Sequence, residues 1–197
     1  VNLSSFGRRL LQLADAATFY SITNLFSTAN TWTAVQTFSA NPSMTGGAIS
    51  FPATQVPSAG ANDLDDYEEG TFTPAFSASG STFSYTGTGA QTAQYTKIGR
   101  LVEFDITLIL NTSGNTLTAN ALTITGLPFT ATSTGTFPVF WAASTTSYVL
   151  MFARLNGTSL TITGLTAAAT VATAVLANGG LHATNGSSMR IIGTYTV

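Results

Sequence analysis

Charge is scarce in this chain of 197 residues: Lys and Arg together number 6, Asp and Glu 8, and charged residues make up 7 %. An ordinary globular domain carries roughly 25 %. The net charge is −2 and the cations form no cluster, so a nucleic-acid partner, which would need a basic face, is not expected. Cysteine is absent, which removes disulfides, thiolate metal sites and cysteine nucleophiles together. It does not identify a compartment. Histidine occurs once, at His182. A Ser-His-Asp triad needs a positioned base and has only this imidazole to draw on, and no Gly-x-Ser-x-Gly elbow accompanies it. One His without Cys cannot supply the usual zinc ligands either. No stretch approaches the roughly 18 apolar residues of a membrane-spanning helix; the most apolar run, Val149 to Ala153, ends at Arg154. Neither membrane insertion nor a cofactor is expected.

What is present is apolar and hydroxylated. Hydrophobic residues reach 44 %, and Thr, Ser, Gly and Asn fill much of the remainder. Thr suits a pleated surface through its β-branch while its hydroxyl faces water. A surface so poor in charge does little to keep copies apart, so part of the apolar excess is expected to be covered by other subunits.

The chain divides at an acidic run. Ahead of it, Leu3, Phe6, Leu10, Leu13, Ala17 and Tyr20 alternate spacings of three and four, which predicts a short helix. Phe6, Leu10 and Leu13 are its candidate trimer-coil positions, the other reading being an amphipathic helix packed on its own domain. Asn41-Pro42, Gly46-Gly47, Phe51-Pro52 and Val56-Pro57 then punctuate an extended stretch. Asp63, Asp65, Asp66, Glu68 and Glu69 surround Leu64 and Tyr67 and mark the boundary: a stalk over 1–66 and a knob over 67–197. Within this hinge Tyr67 is expected to pack inward and anchor the first knob strand. The first residue is Val1 rather than Met, which reads as a fragment or processed product.

Beyond the boundary the pattern is strands. Val102, Phe104, Ile106, Leu108 and Leu110 alternate with mostly polar neighbours, a period of two that predicts a half-buried strand. Further strands are expected around 122–124, 137–142, 148–155, 160–162, 170–176 and 189–197. Asn156-Gly157 predicts a two-residue hairpin with positive φ at both central positions. Leu-Thr-Ile-Thr-Gly-Leu occurs at 122–127 and again at 160–165, a phrase that either duplication or independent turn formation produces. Short strands separated by turn signals indicate an antiparallel β-sandwich of jelly-roll type.

Three phrases carry a resemblance: Asp66-Tyr67-Glu68-Glu69-Gly70-Thr71-Phe72-Thr73-Pro74, then Gln94-Tyr95-Thr96-Lys97-Ile98-Gly99-Arg100-Leu101-Val102, then Leu122-Thr123-Ile124-Thr125-Gly126-Leu127-Pro128-Phe129-Thr130. In this order and spacing they resemble the C-terminal domains of phage and prophage tail-fibre and related virion structural proteins, over roughly 67–197. Phe72 stands where many such proteins carry Trp. The resemblance implies a trimeric β-sandwich knob exposed on a virion, joined to other virion proteins at its N-terminal end, and it transfers no catalytic motif. Tyr67, Glu68, Glu69 and Gly70 become the anchor of the knob.

Two readings of function follow: an adhesin whose knob contacts a host-surface glycan or protein, or a virion component without receptor duty, such as a head fibre, decoration trimer or tail-tip needle knob. An enzyme is not expected. Glu103 and Asp105 share a strand face about 7 Å apart by rise, within the roughly 6.5–9.5 Å of inverting glycosidase carboxyls, but any solvated strand places acids this way, and Lys97 and Arg100 are near enough to balance them. The acidic run lacks the loop glycine and distal Glu of a calcium-binding loop. Tyr85, among Ser84, Thr86 and Gly87, is the candidate surface aromatic for a ligand, while Trp141 after Val139-Phe140 reads as core.

Overall fold

The computed structural model describes residues 66–197, apart from Thr86, Thr88 and Asn185, together with Gly47, Ile49 and Leu64. The expected helix and stalk, with Phe6, Leu10 and Leu13, lie outside the described residues. Those described form ten antiparallel strands and one helical turn at Ala177–Gly180.

The alternation at 102–110 sets the pattern. In β4 (Leu101–Ile109) Val102, Phe104, Ile106 and Leu108 are buried and their neighbours are not. Burying four such side chains contributes about 6–12 kcal/mol before conformational entropy is charged against it. β4 pairs with β3 (Gln91–Ile98) on one side and with β10 (Ser188–Thr196) on the other, and β1 (Tyr67–Phe72) pairs with β3. These strands form one leaf. The other leaf holds β7 (Tyr148–Asn156), β8 (Ser159–Thr166), β5 (Thr123–Thr125), β2 (Ala75–Ser77) and the short β9 (Thr173–Ala174).

β6 (Thr136–Ala142) joins the leaves by changing partner midway. Thr136 to Pro138 pair with β7, and Val139 to Ala142 with β10. Pro138 occupies the point of change, where its missing N–H leaves no ladder donor stranded. The strand path therefore runs β1-β3-β4-β10-β6-β7-β8-β5-β2 without a break.

Its two ends are neighbours in the chain. Only Thr73 and Pro74 separate β1 from β2, so three Cα steps hold the ends of the sheet within about 11 Å. The sheet must curl until its first and last strands meet at that corner. Gln91 Nε2 donates to the Pro74 carbonyl at 2.9 Å from one leaf. From the other, Gly126 (φ +96°) approaches so closely that a Cβ there would stand 2.8 Å from the Thr73 oxygen. One cluster of buried side chains fills the curl, with Phe104, Ile106 and Ile191 from one leaf and Ile124, Met151 and Ile162 from the other.

Several expectations are refined. The 170–176 segment yields only Thr173–Ala174 as strand. The β7–β8 hairpin pairs Asn156 with Ser159, so its central residues are Gly157-Thr158, and only Gly157 (φ +59°) is positive; glycine at the first central position is the type II′ pattern. The two Leu-Thr-Ile-Thr-Gly-Leu phrases lie side by side on β5 and β8, yet their glycines differ in use. Gly126 turns the chain with positive φ, while Gly164 sits within β8 where the Tyr148 ring leaves no room for a Cβ.

Candidate functional site

The three phrases that carry the resemblance meet in one place. Antiparallel register sets Tyr67 opposite Ile98, Glu68 opposite Lys97, Glu69 opposite Thr96 and Gly70 opposite Tyr95, so the first two phrases are paired strands. Asp66 and Lys97 are 6 % and 4 % exposed and form an ion pair. The Gly99 N–H donates to the Asp66 carbonyl at 2.9 Å. The Tyr95 hydroxyl donates to Glu68, and its side chain crosses Gly70, where a Cβ would meet the hydroxyl oxygen at 2.6 Å and two ring carbons at 2.7 Å. Phe129 closes the group from the third phrase, edge-on to Tyr95 with centroids 5.2 Å apart and with Lys97 Nζ 5.6 Å above its ring. Its carbonyl accepts from the Tyr195 hydroxyl at 3.1 Å. The bond to Glu68, with a smaller contribution from burial, pushes the Tyr95 phenol up to about 12. Burial likewise raises Tyr195.

Tyr67 departs from its expected inward packing. Strand alternation places it on the outward face with Glu69, to which its hydroxyl donates, and that bond raises its pKa. The inward anchors are Asp66 and Gly70. Glu68 and Glu69 project to opposite faces and bond to different tyrosines, so they cannot converge on one ion. Among the described residues no group of three or more acids or histidines is placed to hold a metal.

The outward face of the first leaf forms the second arrangement. Register aligns Glu69, Thr96, Glu103 and Thr194 in one row, Thr71, Gln94, Asp105 and Ile192 in the next, and Thr92, Thr107 and Arg190 beyond. Twist leaves a depression of about 640 Å³ over the first two rows, lined by Glu69, Thr71, Gln94, Thr96, Glu103 and Asp105. A second, of about 360 Å³, shares Thr71, Gln94 and Asp105 and runs on to Thr92, Thr107 and Arg190. Arg190 fixes Asp105 with two hydrogen bonds, Nε to Oδ1 at 3.1 Å and Nη2 to Oδ2 at 2.7 Å, which raise the guanidinium pKa. Neither Lys97 nor Arg100 balances the acid pair as expected: Lys97 is buried against Asp66, and Asp105 is paired with Arg190. Sequence reasoning had the face of Glu103 and Asp105 from periodicity but missed Arg190 and Gln94, since nothing local shows that β10 lies beside β4.

Tyr85 differs from the exposed aromatic expected of it. It is half-buried, its ring stacks on Phe76 at 6.3 Å, and its hydroxyl accepts from the Phe76 N–H at 2.6 Å; burial raises its pKa. His182 is half-buried in a loop, where its Nδ1 accepts from the Thr184 N–H at 3.3 Å and its own N–H donates to Ser187 Oγ. Trp141 packs half-buried against the core, as expected.

No family model matches the chain, and no curated protein is significantly similar to it. Among solved structures the fold is similar to that of the Dettilon tailspike protein, with a TM-score of 0.54 and 17 % identity, over 66 % of this chain and 24 % of that one. The chain thus corresponds to about a quarter of that protein's length, and at this identity the likeness is one of fold.

Proposed function

We propose that this chain is a virion appendage protein of phage tail-fibre type, a non-enzymatic homotrimeric adhesin whose knob attaches to the host surface. In this reading the curled sheet is a jelly-roll-like sandwich, the N-terminal end joins other virion proteins, and the knob is exposed on the particle. The observation that carries the proposal is the convergence of the three fibre-like phrases into one unit, the Asp66–Lys97 pair with Tyr95, Gly70 and Phe129. Phrases scattered over some sixty residues thus build one local structure. The fold shared with a tailspike adds support from an independent direction.

The non-enzymatic part rests on the side chains at hand. His182 is engaged with its own loop, and Asp105 is held by Arg190, which removes the free partner that Glu103 would need for two-carboxylate hydrolysis. Weak contacts at a knob are multiplied by trimer symmetry and by several fibres per particle. The test is direct. Purified full-length protein should stain host cells and compete with phage adsorption, and incubation with host polysaccharide should release no reducing ends. Absence of both staining and competition, together with localisation to the capsid, would establish the virion role without receptor duty instead.

A further inference from the structure

The trough on the outward face of β1, β3, β4 and β10 has a chemistry that selects among ligands. Rows two residues apart along a strand are about 7 Å apart, so its three rows span about 14 Å, the length of two or three pyranose rings of roughly 5 Å each. Its lining mixes hydroxyls that donate and accept, the Gln94 amide that does both at separate atoms, and carboxylates that only accept. Sugars present that same mixture on vicinal hydroxyls. Two of the groups are held in place beforehand, Asp105 by Arg190 and Glu69 by Tyr67, which lowers the entropy lost on binding. Two others are at liberty: among the described residues, the side chains of Gln94 and Glu103 have no hydrogen-bond or ion-pair partner, and both residues are exposed. Ile192, 40 % exposed beside Asp105, offers an apolar surface to the C–H side of a ring.

The balance of charge narrows the class. The trough is lined by three carboxylates, Glu69, Glu103 and Asp105, and by one guanidinium, Arg190, which stands at its far end and is already paired with Asp105. An acidic sugar entering here finds no available cation and meets like charge at short range. We infer that the trough binds a short glycan of neutral or amine-bearing pyranoses and rejects acidic ones, an inference that rests on the adhesin reading and gives it a site.

Titration calorimetry of the full chain with three probes tests this: maltotriose, the glucosamine trimer and trigalacturonate. The first or second should bind, with trigalacturonate at least roughly tenfold weaker. Gln94→Ala should weaken the bound probe by roughly tenfold without changing Tm, because the side chain is exposed and bonded to nothing. Glu103→Gln should cost the glucosamine trimer more than maltotriose. Binding of none of the three, equal binding of trigalacturonate, or unchanged affinity in Gln94→Ala overturns the trough. Host-cell staining that persists in both variants also overturns it while leaving the adhesin reading in place. Failure of the wild type to stain cells counts against that reading, whatever the trough binds in the calorimeter.

Discussion

Gly70 is required for what lies above it rather than for its own dihedrals. The Tyr95 ring occupies the space a Cβ would take, and it is bonded to Glu68 and packed on Phe129, so it cannot swing aside without losing both. Gly70→Ala should therefore destabilise the protein by about 1–3 kcal/mol, the usual cost of overpacking. Adding Tyr95→Leu should restore part of that loss, a non-additivity that urea titration of the single and double variants measures. Lys97 makes a second residue-scale case. It and Asp66 are buried together, and removing one partner of such a pair commonly costs about 3–5 kcal/mol because the other charge is left uncompensated. Lys97→Met alone should be the more damaging change, and the double variant with Asp66→Leu should recover most of the stability in thermal melts. The same unit titrates. The Tyr95 phenol, raised from 10.0 to about 12, keeps its proton in the folded state at a pH where the unfolded chain loses it. Its contribution is complete below pH 10 and disappears as pH rises toward 12. Tm should fall across that window in the wild type, and less steeply in Tyr95→Phe.

At the scale of elements, the curl of the sheet brings its last strand to an edge that needs cover. β2 is the end of the path, and an open edge invites pairing with other chains. The Tyr85 hydroxyl accepts from the Phe76 N–H there, so the aromatic expected to meet a ligand caps the sheet instead. Tyr85→Phe leaves that N–H without its acceptor and should cost about 1–3 kcal/mol, with faster exchange of the Phe76 amide as the specific readout. Much at this scale was legible in the sequence. Alternation located β4, because one of its faces is buried and the period of two survives in the residues themselves, and short runs between turn signals located β6, β7, β8 and β10. The pairings were not legible. Pro138 lies inside the expected 137–142 strand, but nothing local shows that β10 takes over from β7 there, or that Thr73-Pro74 joins the first and last strands. Both are facts of register between segments far apart in sequence. For the same reason Glu103 and Asp105 were visible as a pair, while the Arg190 that disarms one of them was not. The apolar ring of Tyr67 suggests an inward position, but in the strand it stands one residue out of step with the half-buried Gly70 and Phe72.

For the whole molecule, the question is what covers the surface that charge does not protect. Tyr67, Ile98 and Leu101 stand side by side in register on the outward face, 40–49 % exposed. The row lies at the N-terminal end of β1. Three side chains exposed to this extent offer roughly 300 Å² of apolar surface, worth about 7 kcal/mol if fully buried. A stable interface takes about 800 Å² from each partner. The row can therefore seed association but cannot hold it alone, and the proposed trimer must draw on further surface, for which the heptad positions Phe6, Leu10 and Leu13 are the candidates given by the sequence. Both contributions can be separated. Light scattering of the full chain at micromolar concentration should give three times the monomer mass. Leu10→Glu should lower that mass if the proposed coil forms, and Leu101→Glu should lower it at reduced concentration while leaving the fold intact, since the side chain is already half in water. A monomer mass for the wild type would remove the trimer and, with it, the multivalent attachment that a weak glycan trough depends on.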